Sequence, residues 1–456
     1  MSLKAIILAA GQGTRMRSKL PKVLHQLAGR SLLSWVLDAA DSILPEEILI
    51  VYGHQGEQIK QTLDDEALTW VEQAEQLGTG HALQQAMPRL DDDDNILVLP
   101  GDVPLISHET LSDLIANTAQ DEVGLLTAMV AEPYGFGRIL RNDAGHVVGI
   151  VEEKDASDDE KNITEINTGI MLLPVKPLKS WLAQLENNNV QGEYYLTDII
   201  ALAVASGITI KASQPIFNEE IMGINDRGQL ARLERIYQSL AAEALMLEGV
   251  NLQDPTRFDL RGELTAAEDV TVDINVIIEG QVEIGANTSI GANVILKNAT
   301  VGEGVTILSN CVIEDVHIGD HCIIGPFARL RPGTRLANNV KVGNFVETKK
   351  TTVAAGSKLP HLAYVGDAEV GKNVNIGAGV ITCNYDGVKK YKTIIGDGAF
   401  IGADSQLIAP VTIGEDAYIA TGSSINKDAP AGKLTIARSR QRTIAAWVSP
   451  KKKRQE

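Results

Sequence analysis

The sequence predicts an α/β sheet domain followed by a solenoid of stacked parallel strands, with one long helix between them. Three observations carry this prediction. Short apolar runs alternate with helical patterns in the first half, an apolar residue recurs every six positions in the second half, and a proline-free stretch rich in Leu, Ala, Glu and Arg separates them at 226–248. At 456 residues the chain is also too long for a single hydrophobic core, which favours two or three domains.

The first half has the pattern of a parallel-rich sheet. Its apolar runs predict strands at 4–10, 48–52, 96–99 and 124–130, and amphipathic stretches such as 31–42 and 78–87 predict helices between them. Continuously apolar strands are typical of a sheet that has helices on both faces. Because such sheets bind ligands at the carboxyl ends of their strands, we expect a site at that edge.

The stretch 226–248 is predicted to be a single helix. Leu230, Leu233, Ile236, Leu240 and Leu245 form an apolar stripe near helical spacing. A helix of this length spans about 30 Å. We therefore predict a first domain at 1–225, a linker helix at 226–248 and a second domain at 249–456.

The second half carries a hexapeptide repeat, which predicts a solenoid whose coils bury a continuous column of aliphatic side chains. The phase slips by one residue between Leu296 and Val301 and between Ile313 and Ile318, which a corner of the coil can absorb. After Val342 the repeat is interrupted, and it departs from the pattern again after Ile425, where we expect a capping element. The repeat positions are Val272, Ile278, Ile284, Ile290, Leu296, Val301, Ile307, Ile313, Ile318, Ile324, Leu330, Leu336, Val342, Ile395, Ile401, Leu407, Ile413, Ile419 and Ile425.

Bulk composition limits the partners and the compartment. A net charge of −18 argues against nucleic acid or an anionic membrane as the main partner, and there is no apolar run of about 18 residues. Three cysteines without a CxxC pair and no visible signal peptide indicate a reducing compartment, so we expect the cytoplasm. We interpret the acidic run 91–94 and the basic run 451–454 as solvated charge.

The sharpest local motif is LAAGQGTRM at 8–16, followed by Pro-Lys at 21–22. Gly11 and Gly13 follow a predicted strand and let backbone N–H groups approach a phosphate, while Arg15 and Lys22 supply cations. A tight turn without a ligand is the alternative for the two glycines alone. The motif is neither the dinucleotide fingerprint, since Met16 stands where a third glycine belongs, nor a Walker A loop.

Two further segments of the first half have polar groups at the expected edge. QAEQLGTG at 73–80 offers amides and a glycine turn suited to a uracil edge. Asp102 follows the strand 96–99, where a carboxylate can hold Mg²⁺ beside a phosphate. An isolated turn-forming aspartate is the alternative interpretation.

Polar residues also accumulate in the solenoid half, where packing does not require them. Arg331 and Lys349 can bind a phosphate, the first as a planar fork and the second as a point charge. His361 lies near them in sequence and can act as the general base for an attacking amine, with a structural or surface histidine as the alternative. We interpret Cys383 as an ordinary buried thiol.

Taken together, the motifs resemble a bacterial family of bifunctional N-acetylglucosamine 1-phosphate uridyltransferases and glucosamine 1-phosphate acetyltransferases. The resemblance covers nearly the whole chain and rests on LAAGQGTRM with Pro21-Lys22, EQLGTGHA, GDVPL, GEYYLTDI, the hexapeptide repeats, RLRPGT, GNFVETKK, HLAYVGD and NIGAGVITCNYDG. It implies an α/β nucleotidyltransferase (Rossmann-like) domain followed by a left-handed parallel β-helix, and a homotrimer with acetyltransferase sites between neighbouring β-helices. It also implies UTP, glucosamine 1-phosphate, N-acetylglucosamine 1-phosphate and acetyl-CoA as substrates, and Mg²⁺ as cofactor.

The resemblance implies a role for particular residues at two sites. For uridylyl transfer these are Leu8, Ala9, Ala10, Gly11, Lys22, Gln73, Gly78, Thr79, Asp102, Gly137, Glu152, Asn167 and Asn225, with Asp102 and Asn225 as the Mg²⁺ ligands. For acetyl transfer they are the base His361, the sugar-phosphate residues Arg331, Lys349, Tyr364 and Asn375, and the acetyl-CoA residues Ala378, Asn384, Tyr385, Ala403, Thr421 and Arg438. Pro100 and Ala403 depart from the Tyr and Ser common in this family, so Pro100 lacks the tyrosine side-chain contact and Ala403 offers CoA no hydroxyl.

Two other functions remain open at this point. One is a sugar-nucleotide pyrophosphorylase whose β-helix serves only for trimerisation or regulation, which the set of His361, Tyr364, Asn384 and Tyr385 disfavours. A structural scaffold is disfavoured by the glycine-rich loop with Lys22 and Asp102.

Overall fold

The protein is described from a computed structural model that places residues 2–53, 55–63, 65 and 67–450, so the basic run 451–454 lies outside the described residues. The chain forms two compact units, Met1–Tyr237 and Gln238–Glu456. The boundary between them falls inside the helix Arg227–Leu247. Leu233 packs in a small core of the first unit and Leu245 in the core of the second, whereas Leu240, expected on the apolar stripe, is half exposed.

The first unit is built on a mixed, mostly parallel sheet. Along the sheet its strands are Ile210–Ser213, Val123–Met129, Glu165–Pro174, Asp94–Pro100, Ser2–Ala9, Glu47–Tyr52 and Thr69–Glu72, with Arg138–Arg141 and Val147–Val151 as an attached hairpin. Glu165–Pro174 runs antiparallel to both of its neighbours, and the other pairs on this path are parallel. The four predicted strands are therefore confirmed, with shifts of one or two residues at their ends.

Helices cover both faces of this sheet, as predicted. The helices are Leu32–Ser42, Gly56–Leu63, Thr79–Ala86, His108–Ala116, Val175–Leu182 and Asp198–Ala205. The 3₁₀ turns of this unit are Thr14–Met16, Lys22–Leu24, Met87–Arg89, Glu160–Asn162 and Asn218–Ile221. A small two-stranded ribbon pairs Gln26–Leu27 with Arg30–Ser31. Neighbouring strand residues point to opposite faces, so Ile6 joins one core and Ile7 the other.

The acidic run 91–94 is only partly the solvated charge that the sequence suggested. Asp91, Asp92 and Asp93 are exposed, but Asp94 begins a strand and is buried. Its Oδ2 lies 2.9 Å from Lys4 Nζ and also accepts the backbone N–H of Asp91. This ion pair satisfies the buried carboxylate, which sequence reasoning had no means of pairing.

The second unit is a solenoid of parallel strands on three faces. One face consists of Asn251–Leu252, Thr271–Val272, Ser289–Ile290, Thr306–Ile307, Ile323–Ile324, Lys341–Asn344, Lys358–His361, Asn375–Ile376, Phe400–Ile401, Tyr418–Ile419 and Leu434–Thr435. The other two faces first share four long strands, Phe258–Ala266, Val276–Ile284, Ile295–Val301 and Val312–Ile318. After these the second face consists of Arg329–Leu330, Glu347–Lys349, Tyr364–Gly366, Ile381–Cys383, Gln406–Ile408 and Ser424–Ile425. The third face consists of Thr334–Leu336, Thr352–Val353, Ala368–Val370, Thr393–Ile395 and Val411–Ile413. Ile324 pairs with Val342, three hexapeptides further along the chain, so each coil is three repeats.

The one-residue slips in the repeat lie at a corner of the solenoid. Between the strands Val276–Ile284 and Ile295–Val301 the pairing shifts register after Glu279, where the second strand is one residue shorter. Asn298 and Asp315 occupy the shortened corner with positive φ of 47° and 49°. Asparagine and aspartate tolerate this backbone region better than other side chains, which explains how the coil continues.

The solenoid is longer and more continuous than its aliphatic repeat indicated. It already begins at Asn251–Leu252, and the interruption after Val342 is largely an effect of composition, because Thr348, Ser357 and Thr382 take inward positions. Ser357 Oγ donates to the Gly371 carbonyl at 2.6 Å, and Thr382 Oγ1 donates to that of Gly366 at 3.0 Å. These bonds make a polar side chain acceptable inside the coil.

The chain after Ile425 does not form the capping element that the sequence predicted directly after this residue. The segment first continues the solenoid, since Leu434–Thr435 pairs with Tyr418–Ile419, and residues 436–450 then carry no strand. Ile444, Trp447 and Val448 in this last stretch are exposed. No helix among the described residues is long and apolar enough to cross a membrane.

Candidate active sites

The glycine-rich loop forms one wall of a cavity at the carboxyl edge of the sheet. Gly13 has a φ of 59°, and a Cβ there would lie 2.7 Å from Lys22 Cβ, so glycine lets the loop close onto Lys22. The cavity has a volume of about 490 Å³ and is lined by Leu8, Ala10, Gly11, Gln12, Gly13, Thr14, Arg15, Lys22, Gln73, Gln76, Gly78, Thr79, Ala82, Gln191, Glu193 and Asn225. It lies where ligands of such sheets bind.

Two oxygen atoms converge on the ammonium of Lys22 beside this cavity. Lys22 Nζ donates to Asp102 Oδ2 at 2.6 Å and to Asn225 Oδ1 at 3.2 Å. Arg15 Nη2 donates to the same Asn225 oxygen at 2.8 Å. The backbone N–H of Ile224 donates to the Asp102 carbonyl at 3.0 Å, which holds the two segments together.

This arrangement fits a Mg²⁺ ion. A carboxylate and an amide oxygen that contact one cation can contact another, and Mg²⁺ prefers oxygen ligands. Asp102 and Asn225 are the only protein ligands suggested, and no group of three or more His, Cys, Asp or Glu with metal-binding geometry occurs in the described part of the chain. Mg²⁺ commonly uses one or two carboxylates and completes its shell with waters and substrate phosphates.

Gln73 lies at the far side of the same cavity and is almost fully buried. Its Nε2 donates to the Gly78 carbonyl at 3.0 Å and lies 3.0 Å from His81 Nδ1. The amide nitrogen is thus committed to the protein, and Oε1 is the atom of this side chain that can accept a hydrogen bond from a ligand. Gly78 has a φ of 112°, and a Cβ there would lie 2.6 Å from the Tyr194 carbonyl oxygen, so the turn requires glycine.

Glu152, Gly137 and Asn167 form a neighbouring group. Thr197 Oγ1 donates to Glu152 Oε1 at 2.9 Å, and the Asn167 backbone N–H donates to the Gly137 carbonyl at 2.9 Å. Leu196, which precedes Thr197 in the chain, donates its N–H to Thr79 Oγ1 at 3.1 Å. This hydrogen bond connects the group to the cavity wall, because Thr79 lines the cavity.

The environment of Glu152 disfavours its charge. Burial raises the pKa of the Glu152 carboxyl, the hydrogen bond from Thr197 opposes this, and the charges of Asp198 and Asp155 raise it further. Burial and the charge of Asp155 also raise the pKa of Asp198. Protonation of Glu152 is therefore favoured at a higher pH than that of an ordinary glutamate.

On the solenoid, Arg331, Tyr364 and Lys349 lie on one face. Glu347 pairs in register with Tyr364, and Lys349 with Gly366. Arg331 Nη1 donates to Glu347 Oε1 at 2.6 Å, and this contact raises the pKa of the arginine. These side chains are half-buried, so their polar ends are accessible.

Asn384 and a lysine that the sequence did not single out complete this face. Asn384 Nδ2 donates to Asp367 Oδ2 and lies 3.5 Å from the Tyr364 hydroxyl. Lys390 is close enough to Lys349 for the charge of the Lys349 ammonium to lower the pKa of Lys390. Two ammonium groups close together repel each other, and an anion between them relieves this.

His361 lies on the adjacent face, at the end of the strand Lys358–His361. Its Nδ1 is 2.7 Å from Asn344 Oδ1, the residue with which it pairs in register. Because an amide oxygen only accepts, Nδ1 carries the proton in this arrangement. The lone pair is then on Nε2, and the imidazole is exposed to solvent.

The remaining acetyltransferase candidates lie along another edge. Asn375 pairs with Lys358 and Phe400, and the Ala378 carbonyl accepts the N–H of Asp404 at 2.7 Å, next to Ala403. One coil later the Ala403 carbonyl accepts the N–H of Gly422 at 2.8 Å, and Arg438 Nη1 donates to the Thr421 carbonyl at 2.6 Å. Ala378, Ala403, Thr421 and Arg438 therefore form one line across successive coils.

Comparisons with known proteins decide the family. The chain matches the MobA-like NTP transferase domain at 5–163, the GMPPB C-terminal domain at 260–355 and the bacterial transferase hexapeptide (six repeats) at 392–427. It is 52% identical over 450 residues to the bifunctional protein GlmU of Marinobacter nauticus, covering 99% of both chains. It is also 52% identical over 457 residues to that of Methylococcus capsulatus, covering 100% of this chain and 99% of the relative.

The chain belongs to the GlmU family of bifunctional proteins. It is an enzyme with a nucleotidyltransferase domain and an acetyltransferase solenoid of hexapeptide repeats. A solved nucleotidyl transferase from Methanothermobacter thermautotroptrophicus is 18% identical with a TM-score of 0.38, covering 52% of this chain and 97% of its own, and adds no argument at that score.

Some expected positions of this GlmU-family chain lie away from the cavity. Ala9 points into the core on the opposite face of its strand, so its contribution is through the backbone. Pro100 pairs in register with Leu8, and a Cβ on Gly169 would lie 3.1 Å from Pro100 Cγ, so the proline fills this space without a polar group.

Cys383 of the solenoid unit is half-buried, not buried as the sequence suggested. Desolvation raises its pKa, which disfavours the thiolate.

The sequence analysis did not single out several residues near the two proposed sites. Gln191 and Glu193 line the cavity, and Thr197 donates a hydrogen bond to Glu152. The segment GEYYLTDI contains two of these residues and contributes to the resemblance, so it was the available signal. Lys390 lies in an irregular loop, where no spacing argument could place it beside Lys349.

Proposed function

We propose that the two units catalyse consecutive steps. The solenoid unit transfers the acetyl group of acetyl-CoA to the amine of glucosamine 1-phosphate. The sheet unit then joins the resulting N-acetylglucosamine 1-phosphate to the UMP moiety of UTP and releases pyrophosphate. Membership of the GlmU family supports both activities. The site for nucleotidyl transfer is supported in particular by the convergence of the Asp102 and Asn225 oxygens on the Lys22 ammonium.

In the uridylyl step, the sheet unit positions two phosphates against each other. Backbone N–H groups from Leu8 to Gly11 and the cations Arg15 and Lys22 hold the triphosphate, and Gln73 accepts from uracil. Gly137, Glu152 and Asn167 bind the sugar. The sugar phosphate oxygen attacks the α-phosphorus and the bond to pyrophosphate breaks. Asp102 and Asn225 would hold Mg²⁺, which when bound would offset the charge that develops on the phosphates.

In the acetyl step, His361 Nε2 accepts a proton from the amine. The nitrogen attacks the thioester carbonyl carbon, the C–S bond of the tetrahedral intermediate breaks, and the CoA thiolate leaves and takes up the proton held by His361 to give the free thiol. Arg331, Lys349 and Tyr364 bind the sugar phosphate, and Lys390 adds a second ammonium beside Lys349. Asn384, Tyr385 and the line from Ala378 to Arg438 bind acetyl-CoA.

We propose a homotrimer in which neighbouring copies complete the acetyl site. Within one chain Arg331 and Tyr364 lie on a different face from Asn375, which belongs to the strand column of His361. Phe327 and Phe345 stack at 5.4 Å between ring centroids and are about half exposed, close in sequence to the His361 column. Exposed apolar side chains of this kind are typical of subunit contacts.

The test is to assay the full chain for both products. Free thiol should appear with glucosamine 1-phosphate and acetyl-CoA, and pyrophosphate should appear with UTP, N-acetylglucosamine 1-phosphate and Mg²⁺. Pyrophosphate release without thiol release would show that the solenoid only assembles or regulates the enzyme. Thiol release without pyrophosphate release would remove the assignment of the sheet unit.

A further inference from the structure

The two oxygens proposed to bind Mg²⁺ are already hydrogen-bonded to cationic side chains of the same chain. Asp102 Oδ2 accepts from Lys22 Nζ at 2.6 Å, and Asn225 Oδ1 accepts from Lys22 at 3.2 Å and from Arg15 at 2.8 Å. Both lone-pair directions of the Asn225 oxygen are thus used. The side chains of Lys22 and Asp102 are only 14% and 17% exposed, so this contact is shielded from water.

We infer that Lys22 and Arg15 compete with the metal for Asp102 and Asn225, so that the metal binds tightly only when a triphosphate takes over these two cations. The inference rests on the proposed uridylyl site. The Lys22 ammonium and a divalent cation cannot both contact the same two oxygens. They would lie too close together, and their positive charges repel each other. Lys22 and Arg15 also line the cavity next to the glycine loop, so a phosphate placed there can accept their N–H groups.

This competition gives an order to ligand binding. A metal ion alone has to break the hydrogen bonds of Lys22 and leave its ammonium without a partner in a shielded position. A nucleotide with its metal supplies new oxygen acceptors for both side chains at the same time. The coupling is reciprocal, so the metal should strengthen nucleotide binding by the same factor by which nucleotide strengthens metal binding.

The test uses Mn²⁺ as the probe, because the electron paramagnetic resonance signal of the free ion falls when it binds. We expect the full-length wild-type chain without nucleotide to bind Mn²⁺ weakly at this site. Lys22→Met should bind it about tenfold more tightly, which corresponds to about 1.4 kcal/mol. Arg15→Met, which removes a contact to Asn225 only, should show a smaller increase in the same direction.

Two controls isolate the effect. Lys19→Met makes the same change of net charge at an exposed position three residues away and should leave Mn²⁺ binding unchanged. Asp102→Asn introduced together with Lys22→Met should remove the gained site, which separates it from binding elsewhere on this acidic surface. The melting temperature of each variant without metal shows whether it is folded.

The outcomes separate the competition from the site itself. Equal Mn²⁺ affinity of wild type, Lys22→Met and Arg15→Met, or an equal gain in Lys19→Met, would overturn the competition. If pyrophosphate release by the otherwise wild-type enzyme survived Asp102→Asn at limiting Mg²⁺, the proposed metal site would be wrong as well. Loss of release in that variant with no gain in Lys22→Met overturns only the competition.

Discussion

Asn344 Oδ1 lies 2.7 Å from His361 Nδ1, and the two residues pair in register on adjacent coils. The amide oxygen fixes the proton on Nδ1 and leaves the lone pair on Nε2, which is the state that a general base requires. The parallel stacking of the coils is what places Asn344 directly beside His361. The hydrogen bond therefore links the architecture of the solenoid to its proposed chemistry.

Asn344→Ala should lower the rate of acetyl transfer, because the imidazole loses the contact that fixes its tautomer. We expect a loss of about tenfold or more, which is part of the contribution of about 100- to 10,000-fold that a positioned base makes. Asn344→Asp keeps an acceptor and should retain most of the turnover. Since a carboxylate stabilises the imidazolium, this variant should also move the lower limb of the rate profile to higher pH. An unchanged rate in Asn344→Ala would contradict the positioning role.

His361→Ala should reduce acetyl transfer by about 100- to 10,000-fold, since the amine has no base to take its proton. Uridylyl transfer and the oligomeric state should be unchanged, because the imidazole is exposed and does not pack in the core. Both activities and the melting temperature should be measured on one preparation. A lower melting temperature with normal acetyl turnover would make His361 a structural residue.

Asp102→Ala should abolish uridylyl transfer and leave acetyl transfer intact. The variant loses a proposed metal ligand and the partner of Lys22. Pyrophosphate release should be measured over a range of Mg²⁺ concentrations, with thiol release as the internal control. Unchanged transfer at limiting Mg²⁺ would remove Asp102 from the site.

The binding of N-acetylglucosamine 1-phosphate should weaken as the pH falls through the raised pKa of Glu152. Its folded-state pKa lies above that of an ordinary glutamate, mainly through burial and also through Asp198 and Asp155, so the acceptor is lost earlier on acidification. The same shift means that protonation of Glu152 stabilises the fold and that its ionisation destabilises it as the pH rises.

Asp198→Asn tests this prediction, because removal of a neighbouring negative charge lowers the pKa of Glu152. The rise in KM for the sugar phosphate should then occur at a lower pH than in the wild type. The KM for UTP serves as the control, since it should respond to pH alike in both proteins. Identical sugar-phosphate profiles would show that Glu152 does not bind the sugar.

The two activities should separate when the chain is divided at the boundary of the two units. A fragment 1–237 keeps the contact of Trp35 with Tyr237, whose ring centroids are 5.0 Å apart, and should form UDP-N-acetylglucosamine. A fragment 238–456 keeps Gln238, whose side chain bonds both the N–H and the carbonyl of Leu260, and should form the trimer. A folded but inert first fragment, or a second fragment that is monomeric by light scattering, would contradict this division.

The sequence predicted the course of the chain wherever one physical requirement governed many residues in a row. The strands of the first unit were found because both faces are buried and their residues are uniformly apolar, as in Glu47–Tyr52. The solenoid was found because its coils repeat the same inward position, from Ile278 to Leu296 to Ile313. Thr348 and Thr382 also take that inward position, the first with its hydroxyl against the Thr334 hydroxyl and the second with a hydrogen bond to the Gly366 carbonyl. The aliphatic pattern fails there although the coil continues.

By itself the sequence determined the two architectures and the glycine-rich loop, because periodicity and turn chemistry are local properties, whereas most of the proposed site residues followed from the resemblance of its motifs to a known family. Only the tertiary structure decided which of these residues meet. Lys22, Asp102 and Asn225 are far apart in the chain and converge because three segments end at one edge of a sheet. Asn344 reaches His361, and Lys390 reaches Lys349, because stacking of coils and the path of a loop set distances that no local pattern encodes.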